Sequence, residues 1–342
     1  FVIADPPSFQ RNYSRPNYVG PYQTFDVTVR IFNNGDVAAH DNTVTLQNIT
    51  GVSVNGNNSQ TLATIIPGPY PDNPQVTTFS LTTAGASAGT HWLPLDFESN
   101  CYQETYTYNT ATGVSIIVET TPPTSTCTVD PYDNQAPIEV DWTASDSQTG
   151  VRTTYLYVKT PGSTSFSYAG LYNSGTGGTF SYTPGAGNGI YQFAVRSVDN
   201  GGNWEAYPTA PEDQTMYDTV APSSSLSSPT YDLGGAISIS FSASDPSPSS
   251  GLEWVDFWYK KESSGIWTYT GFFSTSLNGS FSFTPGAGDG TYYFASRAKD
   301  LAQNLESYPQ DGDDRTVYDT IPPAGTIAIN NNDTLTGSLI VT

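Results

Sequence analysis

The chain is poor in the residues that chemistry usually needs. Its 342 residues include two histidines, two cysteines and one methionine, and 11 Lys and Arg stand against 32 Asp and Glu. A formal charge of −21 argues against nucleic acid, whose binding depends on a basic surface that displaces condensed counterions. It argues equally against docking on anionic lipid. No apolar run approaches the roughly 18–20 residues of a membrane helix, so this segment is not expected to insert directly in a membrane. No Gly-x-Ser-x-Gly elbow, His-Glu-x-x-His pair or phosphate loop occurs. His40 falls near a predicted turn and His91 precedes Trp92 near a strand start. Neither sits in a catalytic pattern, and no enzyme activity is expected. Cys101 and Cys127 permit one disulfide and no framework.

What remains is polar, uncharged and aromatic. Charged residues are only 13 % of the chain, while aromatics are also 13 %, more than a disordered chain would carry. The periodicity is two throughout, as in FDVTVRI at 25–31, IEVDW at 138–142 and ISISF at 237–241, the alternation of half-buried strands. One segment repeats. FSYTPGAGNGIYQFAVRSVD at 180–199 returns as FSFTPGAGDGTYYFASRAKD at 281–300, an offset of 101. That period is the length of one β-sandwich domain.

The expected fold is therefore all-β: three tandem immunoglobulin/fibronectin-like β-sandwiches in an extended rod, plus a partial fourth. The divisions fall at 1–119, 120–219, 220–320 and 321–342, the last being either the start of a fourth repeat or a donated strand segment. In the second sandwich, strands are expected at 125–129, 138–144, 151–159, 165–172, 179–182, 189–198 and 214–217. The linkers TTPP at 120–123, DTVAP at 218–222 and DTIPP at 319–323 should be short and stiff, because proline fixes φ and restricts the residue before it. The Gly-rich segments at 184–189 and 285–290 are expected to be tight turns needing positive φ. In a rod, Cys101 and Cys127 would lie too far apart for the about 7 Å Cα separation of a disulfide, and are expected to be unbonded. The chain begins at Phe1 rather than Met and ends inside a predicted strand, as a processed or partial product would.

The first segment, with F-x-V-x-V-x-I-x-N-N-G-D at 25–36 and I-x-P-G at 65–68, resembles the cell-adhesion-related (CARDB-like) domains of archaeal and bacterial secreted proteins. The aromatic of the second strand (Trp142 in VDWTASD, Phe241 in SFSASD) and the strand YQFAVRSVD or YYFASRAKD resemble fibronectin type III or related bacterial immunoglobulin-like repeats. On that strand Tyr191, Phe193 and Val195 should face the core, and Arg196 and Arg297 should point outward in cross-strand surface pairs.

The resemblance implies that the B–C and F–G loops share the pole where the chain enters each sandwich. That pole would gather Asp218, Asp245, Asp300 and Asn304 in the third sandwich, and Asp146, Asp199 and Asn203 in the second, where the linker offers Glu119. Carboxylates and an amide oxygen converging there suit Ca²⁺, which takes six to eight hard oxygens. The same residue types also form turns on their own. A second candidate is the aromatic strip of Trp254, Trp258, Trp267, Phe272 and Phe273, which could stack on a polysaccharide or form a subunit contact. Residues 325–342, with the apolar Leu339 and Val341, or residues 1–7 are candidates for strand pairing with a neighbour. Asn-x-Ser/Thr triplets at Asn12, Asn48, Asn57, Asn278 and Asn332 are possible glycosylation sites.

Together these readings point to a non-enzymatic extracellular structural protein of a prokaryotic cell surface, such as a surface-layer, sheath, filament or adhesive stalk subunit. Assembly would proceed through sandwich contacts or strand donation. The alternative is an accessory spacer or carbohydrate-binding array of a larger secreted hydrolase.

Overall fold

The computed structural model describes residues 9–68, 74–101, 104–308 and 310–325, and it contains no helix among them. The chain divides into two compact units, Phe1–Pro131 with Ala136–Thr215, and Tyr132–Gln135 with Met216–Thr342. The strands form three successive β-sandwiches.

The first sandwich comprises β1 (Phe9–Ser14), β2 (Tyr18–Val19), β3 (Thr24–Asn33), β4 (His40–Leu46), β5 (Val52–Val54), β6 (Ser59–Leu62), β7 (Gln75–Thr83), β8 (Gly89–Cys101) and β9 (Glu104–Val118). Its sheets run β1-β3-β7-β5 and β2-β9-β8-β4-β6. The predicted strand, Asn-Asn-Gly turn and strand become β3 and β4, but these lie on opposite sheets, so the turn crosses the sandwich and closes no hairpin. Buried Asn33 fixes that crossing. Its Oδ1 accepts the Gly35 amide at 3.0 Å, and its Nδ2 donates to the carbonyls of Val37 and Ile65 at 2.7 and 3.1 Å. Alternate residues of β3 and β7, including Val27, Val29, Phe79 and Leu81, meet Leu93, Leu95 and Ile116 in one core.

The second sandwich holds β10 (Thr124–Val129), β11 (Tyr132–Asp133), β12 (Ile138–Ser145), β13 (Val151–Lys159), β14 (Ser167–Asn173), β15 (Gly177–Tyr182), β16 (Gly189–Asp199) and β17 (Asp213–Tyr217). The seven expected strands are all present, with ends within two residues of the expected ones. The third repeats the plan with β18 (Ser223–Ser227), β19 (Tyr231–Asp232), β20 (Ile237–Ser244), β21 (Leu252–Lys261), β22 (Thr268–Ser274), β23 (Asn278–Phe283), β24 (Gly290–Asp300) and β25 (Asp314–Tyr318). In both, a three-stranded sheet (β10-β12-β15, β18-β20-β23) faces a five-stranded one (β11-β17-β16-β13-β14, β19-β25-β24-β21-β22). The two-residue strands β11 and β19, which pair in parallel with β17 and β25, leave no periodic trace in the sequence. The candidate pairing segment at 1–7 and the strands expected beyond residue 325 lie outside the described residues.

The repeated Gly-rich segment is a collar around a tyrosine. Tyr191 is wholly buried; its hydroxyl donates to the Gly187 carbonyl at 2.9 Å and accepts from the Ala186 amide at 3.0 Å. Tyr292 donates likewise to Gly288 at 2.7 Å. Gly187 and Gly288 hold φ of +76° and +70°, as the expected tight turns require. Tyr191→Phe leaves the ring's packing in place and strips a partner from Ala186 N–H. It should cost about 1–3 kcal/mol, read as a lower midpoint in chemical denaturation with unchanged slope.

Carboxylates also tie the outer strand of each three-stranded sheet. The Cys127 and Val129 amides donate to Glu212 Oε2 at 2.8 Å and Asp213 Oδ2 at 2.9 Å. In the third sandwich Ser224 and Ser228 donate to Glu306 Oε1 and Asp314 Oδ2, both at 2.8 Å. Cys127 is a buried free cysteine, its thiol pushed well up by burial and by the charge of Glu212.

The arginines depart in part from expectation. Arg196 makes no ion pair among the described residues, while Arg297 stands opposite Asp256 in the β21–β24 register, where its charge favours the Asp256 carboxylate. The Arg196 guanidinium lies 4.5 Å from the Trp204 ring centre and donates through Nε to the Glu205 carbonyl at 2.8 Å. Arg297 lies 4.5 Å from the Tyr308 ring. Aromatic rings that follow β16 and β24 fold back over these strands and give both arginines cation–π contacts.

Candidate metal centres

Each of the last two sandwiches gathers three carboxylates at its N-terminal pole. Glu119, which follows β9, meets Asp146 from the loop after β12 and Asp199 at the end of β16; their oxygens all lie within 4.8 Å of one another. Asp218, which follows β17, meets Asp245 and Asp300 in the same way. Glu119, Asp199, Asp218 and Asp300 are at most 1 % exposed, while Asp146 and Asp245 are half-buried. The structure brings together Asp146, Asp199 and Asn203 in the second sandwich, and Asp218, Asp245, Asp300 and Asn304 in the third. The first group also takes Glu119 into the position that Asp218 holds in the second.

Backbone geometry places each side chain. The Glu119 amide donates to Val19 O at 2.8 Å, which pins the residue to the first sandwich. Asp146 Oδ1 caps its own loop, accepting the amides of Gln148 and Gly150 at 3.0 and 2.6 Å. Asn203 closes the set: its amide donates to Asp199 Oδ1 at 2.7 Å, and its Nδ2 reaches Asp199 Oδ2 at 2.9 Å and Glu119 Oε2 at 2.8 Å. Asn304 does the same, with its amide on Asp300 Oδ1 at 2.7 Å and its Nδ2 on Asp300 Oδ2 at 2.8 Å and the Asp218 carbonyl at 2.7 Å. The Ser250 amide donates to Asp218 Oδ2 at 2.7 Å and Gly251 to Asp245 Oδ2 at 2.8 Å. Asp245 Oδ1 is buried with no hydrogen-bond partner.

Like charges this close and this dry disfavour ionisation. Burial first, then the hydrogen bond and charge of Asp199, push the Glu119 carboxyl up to about 7. Burial likewise raises Asp245 and Asp300. Such a group is protonated in the folded chain at a pH where the unfolded chain is still ionised, so acidification from about pH 8 toward 5 favours the fold. In chelator, the wild type should gain thermal stability over that interval relative to Glu119→Gln, measured by calorimetry at matched ionic strength. A parallel pH response of the two proteins would contradict the assignment.

The donor set fits a hard divalent cation. Oxygens bound at about 2.3–2.6 Å to one Ca²⁺ lie up to about 5 Å apart, the spread found here. The oxygens of Asn203 and Asn304 become further donors if the amides turn over. No comparable arrangement surrounds the histidines. Exposed His40 has Nδ1 3.2 Å from Thr64 Oγ1, and half-buried His91 has Nε2 2.7 Å from the Ser87 carbonyl.

The remaining candidates are dispersed. Trp254, Trp258 and Trp267 are half-buried. Trp258 donates to Asp256 Oδ1 at 2.8 Å, and Lys299 and Lys260 lie over the Trp254 and Trp267 rings at 5.9 and 4.7 Å. Phe272 and Phe273 are exposed. Asn12, Asn48, Asn57 and Asn278 are exposed. Asn332, Leu339 and Val341 lie outside the described residues.

No family model matches the chain, and no curated protein matches it. Among solved structures, a membrane-anchored protein from Corynebacterium diphtheriae aligns at 13 % identity over 92 % of this chain and 93 % of that one, with a TM-score of 0.23. The FN1–FN3 domains of chicken CNTN1 align at 12 % identity over 89 % and 99 %, with a TM-score of 0.32. A chimeric titin Z1Z2 carrying a KLER peptide from decorin aligns at 11 % identity over 63 % and 99 %, with a TM-score of 0.27. Superposition over the whole chain is poor in each case, and the assignment of tandem β-sandwiches rests on the strand order above.

Proposed function

We propose that the protein is a non-enzymatic structural subunit of a prokaryotic cell surface, built of tandem β-sandwiches that bind Ca²⁺ where the chain enters each repeat. The observation that carries this reading is the recurrence, in two successive sandwiches, of a buried carboxylate triad closed by an asparagine. A calcium ion would offset most of each triad's charge and hold the entering segment against the loops after β12 and β16 in the second sandwich and after β20 and β24 in the third. Rigid repeats suit a subunit whose work is to span distance and self-associate into a polymer or lattice. The exposed triplets at Asn12, Asn48 and Asn57 and the low content of charged residues support an extracellular, glycosylated setting.

Electron microscopy of the purified protein with millimolar Ca²⁺ tests the reading. Fibres or lattices that disperse in chelator are expected; monomeric particles under both conditions would refute it. A second reading, an accessory carbohydrate-binding array of a secreted hydrolase, is favoured by the aromatic face of the second sandwich, where exposed Tyr172 and Trp204 flank Tyr155 at 6.0 and 5.2 Å. Retention of monomers on insoluble polysaccharide would select it.

A further inference from the structure

The third sandwich treats its two lateral sides differently. At one side the outer strand β18 has the amides of Ser224 and Ser228 taken by Glu306 and Asp314. That edge is partly saturated and negatively charged, two common defences against strand pairing. The opposite side ends in β22 on one sheet and β23 on the other, each the last strand of its sheet among the described residues. Between them runs a groove lined by Phe241, Phe257, Phe281, Phe272, Phe273 and Gly279, with none of its lining residues charged. Phe273 is 66 % exposed, and neighbouring Leu277 is 52 % exposed.

The second sandwich carries a larger ring at the equivalent position. There Trp142 occupies the place of Phe241 and stacks on Phe180 at 5.5 Å. In the third sandwich the smaller ring of Phe241 lies so close to β23 that a Cβ at Gly279 would meet it at 2.9 Å. The apolar rings of Phe272 and Phe281 meet beside it at 5.2 Å, tilted by 31°.

We propose that this side of the third sandwich accepts an extended strand from a second copy of the chain, supplied by residues 335–342, LTGSLIVT. The donor lies in the stretch outside the described residues, and the proposal rests on the reading that the protein self-associates. Two copies that each carry −21 repel wherever carboxylates face each other; an uncharged segment entering an uncharged groove avoids that cost. Eight extended residues reach about 26 Å, enough to run along the six residues of β23 or the seven of β22. Backbone hydrogen bonds to the open edge would supply strength, and alternate apolar side chains would fill the phenylalanine groove.

The test uses the full chain in sedimentation velocity with Ca²⁺. Phe273→Asp disables the acceptor and Leu339→Asp disables the donor, so each alone should remain monomeric. An equimolar mixture keeps one working donor and one working acceptor, and should stop at dimers. A fluorescent LTGSLIVT peptide should bind the wild type and lose at least about tenfold in affinity on Phe273→Asp, which keeps the test open if a variant misfolds. Polymers in both variants, together with no peptide binding, would overturn strand donation and leave self-association standing. Wild type that stays monomeric at all concentrations would overturn both.

Discussion

Removing Ca²⁺ with EGTA should lower the melting temperature of the protein by about 5–10 °C, and Asp146→Asn and Asp245→Asn should each remove part of that shift. A ligand present at a hundredfold over its Kd stabilises by about 2.7 kcal/mol, and each kcal/mol moves the midpoint of a 150–250-residue unit by about 2–4 °C. The aspartates chosen are those whose loss harms the cation-free fold least. Asp245 Oδ2 accepts the Gly251 amide, while Oδ1 is buried without a partner. An asparagine keeps the first contact and removes a charge that Asp218 and Asp300 repel. In chelator, Asp245→Asn should therefore melt at or above the wild type, and with Ca²⁺ below it. That reversal of sign separates a metal site from an ordinary turn, for which asparagine would act alike in both buffers.

Gly20→Ala should uncouple the first sandwich from the second without unfolding either. A Cβ at Gly20 would stand 1.5 Å from the Gly201 carbonyl oxygen and 2.4 Å from its carbon. Both obstacles are backbone, so no rotamer change relieves them. Gly20 cannot withdraw easily either. Its carbonyl accepts Thr83 Oγ1 at 2.6 Å, its amide donates to Gln23 Oε1 at 2.9 Å, and Gln23 Nε2 donates to the Asn200 carbonyl at 3.3 Å. Overpacking of this kind costs roughly 1–3 kcal/mol where neighbours can shift, and more is expected here. Because Glu119 hangs from Val19, the adjacent residue, loss of the contact should also weaken Ca²⁺ binding at the first triad while sparing Asp218, Asp245 and Asp300. Gly201→Ala, whose Cβ would meet Glu119 Oε2 at 3.1 Å and Gly20 Cα at 3.2 Å, should show a milder form of both effects. Protease accessibility of the Glu119–Pro123 segment and calorimetry together measure the two.

Strands were legible where one face is buried, because alternation is then written in the residues themselves. β12, IEVDWTAS, alternates strictly between buried and exposed. The acidic residues were legible because their loops recur at nearly constant spacing, and sharing a pole follows from the fold the repeat implies. Glu119 was harder to weigh: its longer side chain reaches the place of Asp218, and only the strand geometry shows it. The carboxylates of Glu212 and Glu306 were not legible at all. Their partners are strand amides some 80 residues earlier, such as the Cys127 amide for Glu212, and a single side-chain contact at that separation leaves no pattern in a sequence. Arg196 and Arg297 misled for a related reason, since the rings that cover them come from irregular segments after β16 and β24.

The central claim is that the repeated triads are calcium sites. Isothermal titration of the chelated, dialysed full chain with Ca²⁺ tests it most directly. The account predicts two ions per chain, one for each triad, with Asp146→Asn and Asp245→Asn each reducing the stoichiometry to one and the double variant binding none. Unchanged stoichiometry in these variants, or no binding by the wild type at millimolar Ca²⁺, would contradict it.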